Sequence, residues 1–115
     1  MLIYTTRARE GESHPLQVLW CDEIGRPLSV ESVVYSVFYY DGGIRTFLTE
    51  IDEAMSPTDQ TYRFISRFQI PEGMAGVVLY AEYTATLTAD GSTLKREQVV
   101  QVEKDISQQK LSVRF

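Results

Sequence analysis

Residues 77–102 read VVLYAEYTATLTADGSTLKREQVVQV. In the first half of this stretch apolar side chains recur at every second position, while Glu82 and three threonines occupy positions between them. Alternation with a period of two is typical of a strand that buries one face. Asp90-Gly91 then interrupts the pattern where the chain must reverse, because glycine tolerates a positive φ and aspartate can bond the backbone of its own turn. The stretch therefore predicts a β-hairpin whose second strand covers residues 94–102.

The rest of the chain has to supply further strands, because a lone hairpin is only marginally stable in water. Apolar alternation or apolar runs bounded by turn residues predict strands at 2–8, 16–21, 28–40, 44–51 and 62–70. The acidic stretch 51–60 shows no periodicity and is predicted to be a surface loop with one helical turn. A chain of roughly seven to nine short strands without an amphipathic helix favours an all-β fold, a two-sheet antiparallel β-sandwich, over a closed barrel.

The predicted strand at 28–40 contains VVYSVFYY, in which both alternating sets of side chains are apolar. One set is expected to face the core. The other set, which includes Phe38 and Tyr40, is either covered within a central strand or contacts another protein. Phe38 and Tyr40 are therefore the candidate interface residues of this face.

The composition limits the class of protein. A chain of 115 residues is long enough for one domain with its own core. The formal net charge of -5 argues against nucleic acid as a partner, because phosphate-binding surfaces are rich in Lys and Arg. No stretch approaches the roughly 18 consecutive apolar residues of a membrane span, so a membrane is not expected as a partner either.

Few residues offer reactive chemistry. His14 and Cys21 are the only histidine and the only cysteine, so they cannot fill a four-ligand zinc site, and no nucleophile motif accompanies them. Acidic pairs such as Asp22-Glu23 and Asp52-Glu53 lie in predicted turns and loops, where they are either solvated or ligands of calcium. No spacing marks a catalytic pair of carboxylates. We therefore predict that the protein is not an enzyme and needs no cofactor.

The order of strand and turn patterns carries one family resemblance. Between residues 11 and 43 an apolar strand (LQVLW) is followed by an acidic turn (DEIGRPLS), a long apolar strand (VVYSVFYY) and Asp-Gly. Ile-Pro-Glu-Gly at 70–73 then leads into the hairpin that ends in VVQV. This pattern resembles the immunoglobulin-like β-sandwich domains of tailed-bacteriophage structural proteins, notably the amino-terminal domain of baseplate upper proteins and small head or tail accessory proteins.

The resemblance implies an immunoglobulin-like domain over residues 1–105, made in the host cytoplasm and located in the virion. Its partners would be other virion proteins and further copies of itself, so a homo-oligomer is expected. In residues 106–115, Leu111, Val113 and Phe115 alternate with polar side chains as an extra strand. This strand either pairs with a neighbouring chain or folds back on its own sandwich. A second class of protein has many of the same patterns, namely a carbohydrate-binding or adhesive immunoglobulin-like module of a bacterial surface protein.

Overall fold

The computed structural model describes residues 4–49 and 52–103. These residues form nine β-strands, so the predicted all-β class is confirmed. No helix capable of crossing a membrane occurs among them. The strands are β1 (Tyr4–Arg9), β2 (Ser13–Leu19), β3 (Val30–Asp41), β4 (Ile44–Phe47), β5 (Glu53–Ala54), β6 (Ser56–Pro57), β7 (Arg63–Gln69), β8 (Val78–Leu87) and β9 (Thr93–Glu103).

The strands form two sheets that share one hydrophobic core. The larger sheet has the order β1-β9-β8-β3-β4, with β5 also paired to β3, and the smaller sheet has the order β2-β7-β6. Two sheets that pack over a shared core are the architecture of a β-sandwich. The predicted sandwich and strand number are thus confirmed. The longest strands are β3, β8 and β9, with 12, 10 and 11 residues, and β9 extends one residue beyond its predicted range at each end.

β1 differs from the predicted antiparallel pairing, because it runs parallel to β9. The turn that leads from β1 into β2 joins the two sheets through its backbone. Glu10 donates to the Glu103 carbonyl at 3.0 Å, and Gly11 donates to the Ile70 carbonyl at 2.9 Å. Gly11 has a φ of +78°, a conformation that favours glycine. The short turn leaves β1 next to β9 at one edge of the larger sheet, where the two strands run in the same direction.

The predicted hairpin is present as β8 and β9, and its apolar face lies in the core. Leu79, Ala81 and Ala85 of β8 are fully buried. The smaller sheet covers them with its own alternating residues, which include Leu16, Val18, Phe64 and Phe68. Burial of each large apolar side chain contributes roughly 1.5–3 kcal/mol to stability. The sequence pattern therefore identified both inner faces of the sandwich.

The chain changes sheets at Met55. The predicted strand at 44–51 is shorter in the structure, because β4 ends at Phe47. The stretch predicted to be a surface loop with a helical turn instead contains β5, which pairs with β3, and β6, which pairs with β7. Between these two strands Met55 is buried, and its N–H donates to the Val33 carbonyl at 2.9 Å. The prediction of a solvated loop was wrong because Met55 closes this side of the core.

Tyr35 of β3 connects the two sheets through its hydroxyl. The hydroxyl donates to Glu53 Oε2 at 3.1 Å and accepts a hydrogen bond from Ser66 Oγ of β7 at 3.0 Å. Burial, together with the nearby Glu53 carboxylate, raises the pKa of Tyr35. The hydroxyl therefore keeps its proton and continues to donate to Glu53.

Candidate interaction surface

Four aromatic side chains lie together on the outer face of the larger sheet. Phe38 and Tyr40 come from β3, Phe47 from β4 and Tyr80 from β8. The strand register places Phe38 directly opposite both Phe47 and Tyr80. Because side chains alternate between the faces of a strand, Phe38 and Tyr40 point away from the core that Val37 enters. We call these four residues the aromatic patch.

The rings of the aromatic patch pack on one another. Phe38 and Tyr80 are stacked, with ring centroids 5.7 Å apart and planes at 19°. Tyr40 meets both rings edge-on, at 5.9 Å from Phe38 and 5.5 Å from Tyr80. Phe47 lies 5.5 Å from Phe38. Aromatic pairs at such distances contribute about 0.5–1.5 kcal/mol each beyond the area they bury. The aromatic patch is therefore an ordered layer of rings.

Arg45 of β4 covers part of this layer. Its Cζ lies 4.2 Å from the centroid of the Phe38 ring, which is a cation–π contact. Its Nη2 donates to the Tyr40 hydroxyl at 3.5 Å, and this hydrogen bond is the main cause that raises the pKa of Arg45. A permanently charged group thus stands at the border of the aromatic patch.

Exposure differs greatly within the aromatic patch. Phe38, predicted to be an interface residue, is only 2% exposed, because the surrounding side chains cover it. A partner would therefore contact its neighbours and not Phe38 itself. Tyr40 is 50% exposed, Phe47 is 38% exposed, and Val78, two residues before Tyr80 on the same face, is also 38% exposed. Of the two residues predicted for this face, Tyr40 is the accessible one.

Charged residues adjoin the aromatic patch on the outer face. Glu82 of β8 follows Tyr80 on this face and lies directly opposite Glu97 of β9. Lys95 Nζ is 3.9 Å from Glu82 Oε1. An apolar centre with a polar, charged border is the usual composition of a protein–protein interface.

The other predicted interface residues, Leu111, Val113 and Phe115, lie outside the described residues. The same holds for the whole predicted strand at 106–115, so its pairing with a neighbouring chain stays a prediction. Within the described ranges, the edges of the larger sheet are β1 and β4, and those of the smaller sheet are β2 and β6. These edges are where an added strand would pair.

Sequence reasoning missed Phe47, although the pattern that identifies it was present. Gly42 and Gly43 have φ values of +58° and +85°, as a two-residue hairpin turn requires. Such a turn sets the register of its strands, and counting outward from it places Phe47 opposite Phe38. Tyr80 carries no comparable local pattern, because it lies in the outward-facing set of β8 and joins the aromatic patch only through the strand order.

The potentially reactive residues are not brought together. His14 is the second residue of β2, and Cys21 lies two residues beyond the end of this strand, so about 17 Å of strand separates His14 from Leu19 alone. In the described part of the chain, no group of three or more His, Cys, Asp or Glu side chains could hold a metal ion. The turn acids Asp22 and Asp90 instead accept hydrogen bonds from their own turns, and these bonds lower the pKa of both carboxyl groups.

The fold and the aromatic patch define a β-sandwich protein with an outward-facing apolar surface. No protein-family model matches the chain, and no curated protein matches it either. The surfaces of the molecule itself are therefore the basis for a functional proposal.

Proposed function

We propose that the protein is a non-enzymatic structural protein of a tailed-phage virion, either a tail or baseplate component or a capsid accessory protein. It binds other virion proteins and copies of itself through the faces and edges of its sheets. The observation that supports this function is the aromatic patch on the outer face of the larger sheet. The virion setting is based on the resemblance of the strand and turn patterns to immunoglobulin-like domains of phage structural proteins.

The exposed part of the aromatic patch has the properties of a docking surface. Tyr40, Phe47 and Val78 expose apolar area on one face, and none of the described residues forms a further layer above them. Contiguous exposed apolar area of this kind marks interaction sites in soluble proteins. Tyrosine and arginine are also the residue types that contribute most to binding at interfaces, and Tyr40 and Arg45 stand side by side here. Because the rings are already packed, a partner can bind without rearranging the strands.

The sandwich also suits repeated assembly. Its edge strands β1 and β2 present backbone groups to which a further strand can be added. Residues 106–115, with Leu111, Val113 and Phe115 on alternate positions, are the segment that would pair with the edge of a neighbouring copy. A contact of this kind can be repeated by symmetry throughout a particle.

The alternative function, a carbohydrate-binding or adhesive module, requires flat aromatic faces on which sugar rings can stack. Tyr40 is nearly perpendicular to Phe38 and to Tyr80, with interplanar angles of 89° and 73°. Arg45 lies over the Phe38 ring, which is itself only 2% exposed. The rings of the aromatic patch are thus not coplanar, and a cation covers part of them, which favours a protein partner over a sugar.

Self-association is tested by removing the exposed apolar area of the patch. The double variant Tyr40→Ser, Val78→Ser leaves Phe38 and the inner core unchanged. We expect light scattering to give an oligomer for the wild-type protein and the mass of a single chain for the double variant. Ile65→Ser is the matched control, because Ile65 is also 38% exposed but belongs to the smaller sheet. An unchanged mass for the double variant would contradict the patch as the surface of self-association.

The virion setting is tested separately. Capsid, portal or tail genes beside the gene for this chain would support it, whereas metabolic or adhesin genes would contradict it. Mass spectrometry of purified particles provides the direct measurement, and we expect the protein to be present in many copies per particle.

A further inference from the structure

An open groove of about 580 Å³ lies at the end of the sandwich opposite the aromatic patch. The segment between β2 and β3, the end of β8 and the start of β9 form its walls. Its apolar lining includes Leu28, Leu87 and Leu94, and its charged lining includes Asp22, Arg26 and Arg96. The volume is within the range of ligand sites in proteins.

Arg96 brings a positive charge into this groove. It lies opposite Tyr83 of β8, so it belongs to the inward-facing set of β9 together with Leu94, and it is half-buried. Its Nη1 donates to the Lys95 carbonyl at 2.9 Å. Within the described residues, no carboxylate forms an ion pair with Arg96. A charge that is partly removed from water without an acid beside it is unfavourable, and an anionic ligand would relieve this cost.

Trp20 packs against Arg96 from the core and does not itself line the groove. The Arg96 Cζ lies 5.6 Å from the centroid of the Trp20 ring. Trp20 is fully buried, and its Nε1–H has no hydrogen-bond partner among the described residues. Buried donors without an acceptor are rare in native proteins. Both the guanidinium and the indole N–H at this end of the sandwich thus lack a side-chain acceptor in the described part of the chain.

On the opposite wall of the groove, Asp22 is already paired with Arg26, whereas Glu23 is exposed to solvent. Asp22 Oδ1 accepts hydrogen bonds from the N–H groups of Ile24 and Arg26, at 3.0 and 2.9 Å. Asp22 Oδ2 accepts from Arg26 Nε at 2.9 Å, so the two charges compensate each other. Gly25, with a φ of +87°, completes this turn. Among the described lining residues, Arg96 is the cation that remains for a ligand.

We propose that this groove binds the carboxylate end of a peptide whose last residue is apolar. The planar guanidinium of Arg96 matches a carboxylate with two parallel N–H donors, and the three leucines of the groove hold the apolar side chain. A single carboxylate fits better than a phosphate, because Asp22 and Glu23 line the same groove and the chain carries a net charge of -5. The groove is open, so the rest of the peptide can continue into solvent. This site is separate from the aromatic patch and does not depend on the proposed virion role.

Trp20 reports on binding because it is the only tryptophan and lies against Arg96. In the 115-residue chain labelled with ¹⁵N, its indole N–H gives one separate NMR signal. Titration with the tripeptide Gly-Gly-Leu is expected to shift this signal in a saturable manner, whereas the carboxamide Gly-Gly-Leu-NH₂ leaves it unchanged. Equal shifts by the two peptides would overturn the proposal. The absence of a shift at about 10 mM peptide would also overturn it, because this concentration is roughly ten times the expected Kd of about 1 mM.

Variants of Arg96 test whether this residue holds the carboxylate. Arg96→Gln is expected to weaken binding of Gly-Gly-Leu by about 10- to 100-fold, as for the loss of hydrogen bonds to a charged group. Arg96→Lys keeps the charge but not the planar pair of donors, so its loss is expected to be smaller. Arg9→Gln is the matched control, because Arg9 lies beside Glu103 at the far end of the larger sheet. The affinity of the Arg9→Gln variant for Gly-Gly-Leu should equal that of the wild type. Wild-type affinity in both Arg96 variants, with folding verified by thermal denaturation, would overturn the assignment.

Two further ligands distinguish a peptide from other anions. The free acid 4-methylpentanoate has the leucine side chain and a carboxylate but no peptide group, and it is expected to bind more weakly than Gly-Gly-Leu. Equal affinity for 4-methylpentanoate and Gly-Gly-Leu would overturn the proposal of a peptide ligand and identify a short carboxylic acid as the ligand. Inorganic phosphate is expected to leave the indole signal in place, and a response equal to that of the peptide would overturn the preference for a carboxylate.

Discussion

Replacement of Phe38 by alanine tests whether the aromatic patch stabilises the fold as well as offering a contact surface. Phe38 is 2% exposed, and its ring packs against those of Tyr40, Phe47 and Tyr80. Truncation of a buried phenylalanine to alanine costs about 3–5 kcal/mol of stability. The rings that cover Phe38 are side chains on an outer face, which can partly close the space left behind. We therefore expect a loss near the lower limit, about 3 kcal/mol.

The neighbouring Tyr40 provides the contrast. It is half exposed and makes two edge-on ring contacts, so Tyr40→Ala should cost about 1 kcal/mol. In a domain of this size a change of about 1 kcal/mol shifts the Tm by about 4 °C. The expected decreases in Tm are therefore about 12 °C for Phe38→Ala and about 4 °C for Tyr40→Ala.

Urea and thermal denaturation followed by Trp20 fluorescence measure both losses, because Trp20 lies at the other end of the sandwich and is unaffected by the substitutions themselves. Phe38→Leu serves as a control that keeps an apolar side chain, and its cost should stay below about 2 kcal/mol. A loss of less than about 1 kcal/mol for Phe38→Ala would refute the reasoning, since it is below the range for a buried ring. A larger loss for Tyr40→Ala than for Phe38→Ala would do the same.

Three further predictions concern other parts of the molecule. Burial raises the pKa of Tyr83 well above its usual value, so the stability due to neutral Tyr83 is fully present below about pH 10 and is lost as the pH rises through the raised pKa. Tyr83→Phe should therefore unfold at a higher pH than the wild type in an alkaline titration, and a lower midpoint would contradict this. Ser66→Ala removes the hydrogen bond to Tyr35 between the sheets and should lower the free energy of unfolding in urea by about 1 kcal/mol, whereas no change would show that the bond contributes nothing. Deletion of residues 106–115 should lower the oligomer mass in light scattering without a change in Tm, and an unchanged mass would reject strand exchange.

Local periodicity was sufficient to predict the inner faces of the sandwich, because burial on a strand repeats every second residue. Trp20 and Leu79 are fully buried, as their positions in alternating segments indicate. Periodicity does not show what covers the outer face of a strand. Phe38 is hidden by Phe47 and Tyr80, which come from two different neighbouring strands, so its burial depends on strand order and register.

The remaining differences also result from contacts between distant residues. Met55 lies in an acidic stretch without periodicity, and its burial depends on the Val33 carbonyl and on the change from one sheet to the other. Arg96 lies in a polar part of the sequence, and it faces inward only because the hairpin register sets it opposite Tyr83. A pattern within one strand contains neither kind of information, so the groove at Arg96 was not predicted.

The parallel pairing of β1 and β9 determines how the domain responds to mechanical tension. Tyr4 pairs with Gln98 and Arg9 pairs with Glu103, so the start of β1 and the end of β9 lie at opposite ends of the paired region. A force that pulls these two points apart acts along the strands and stretches all hydrogen bonds between them at once. Forced unfolding depends on the rate of crossing the unfolding barrier, and simultaneous rupture of several bonds makes that rate low. A domain pulled from both ends can thus carry a load while its sheets stay intact.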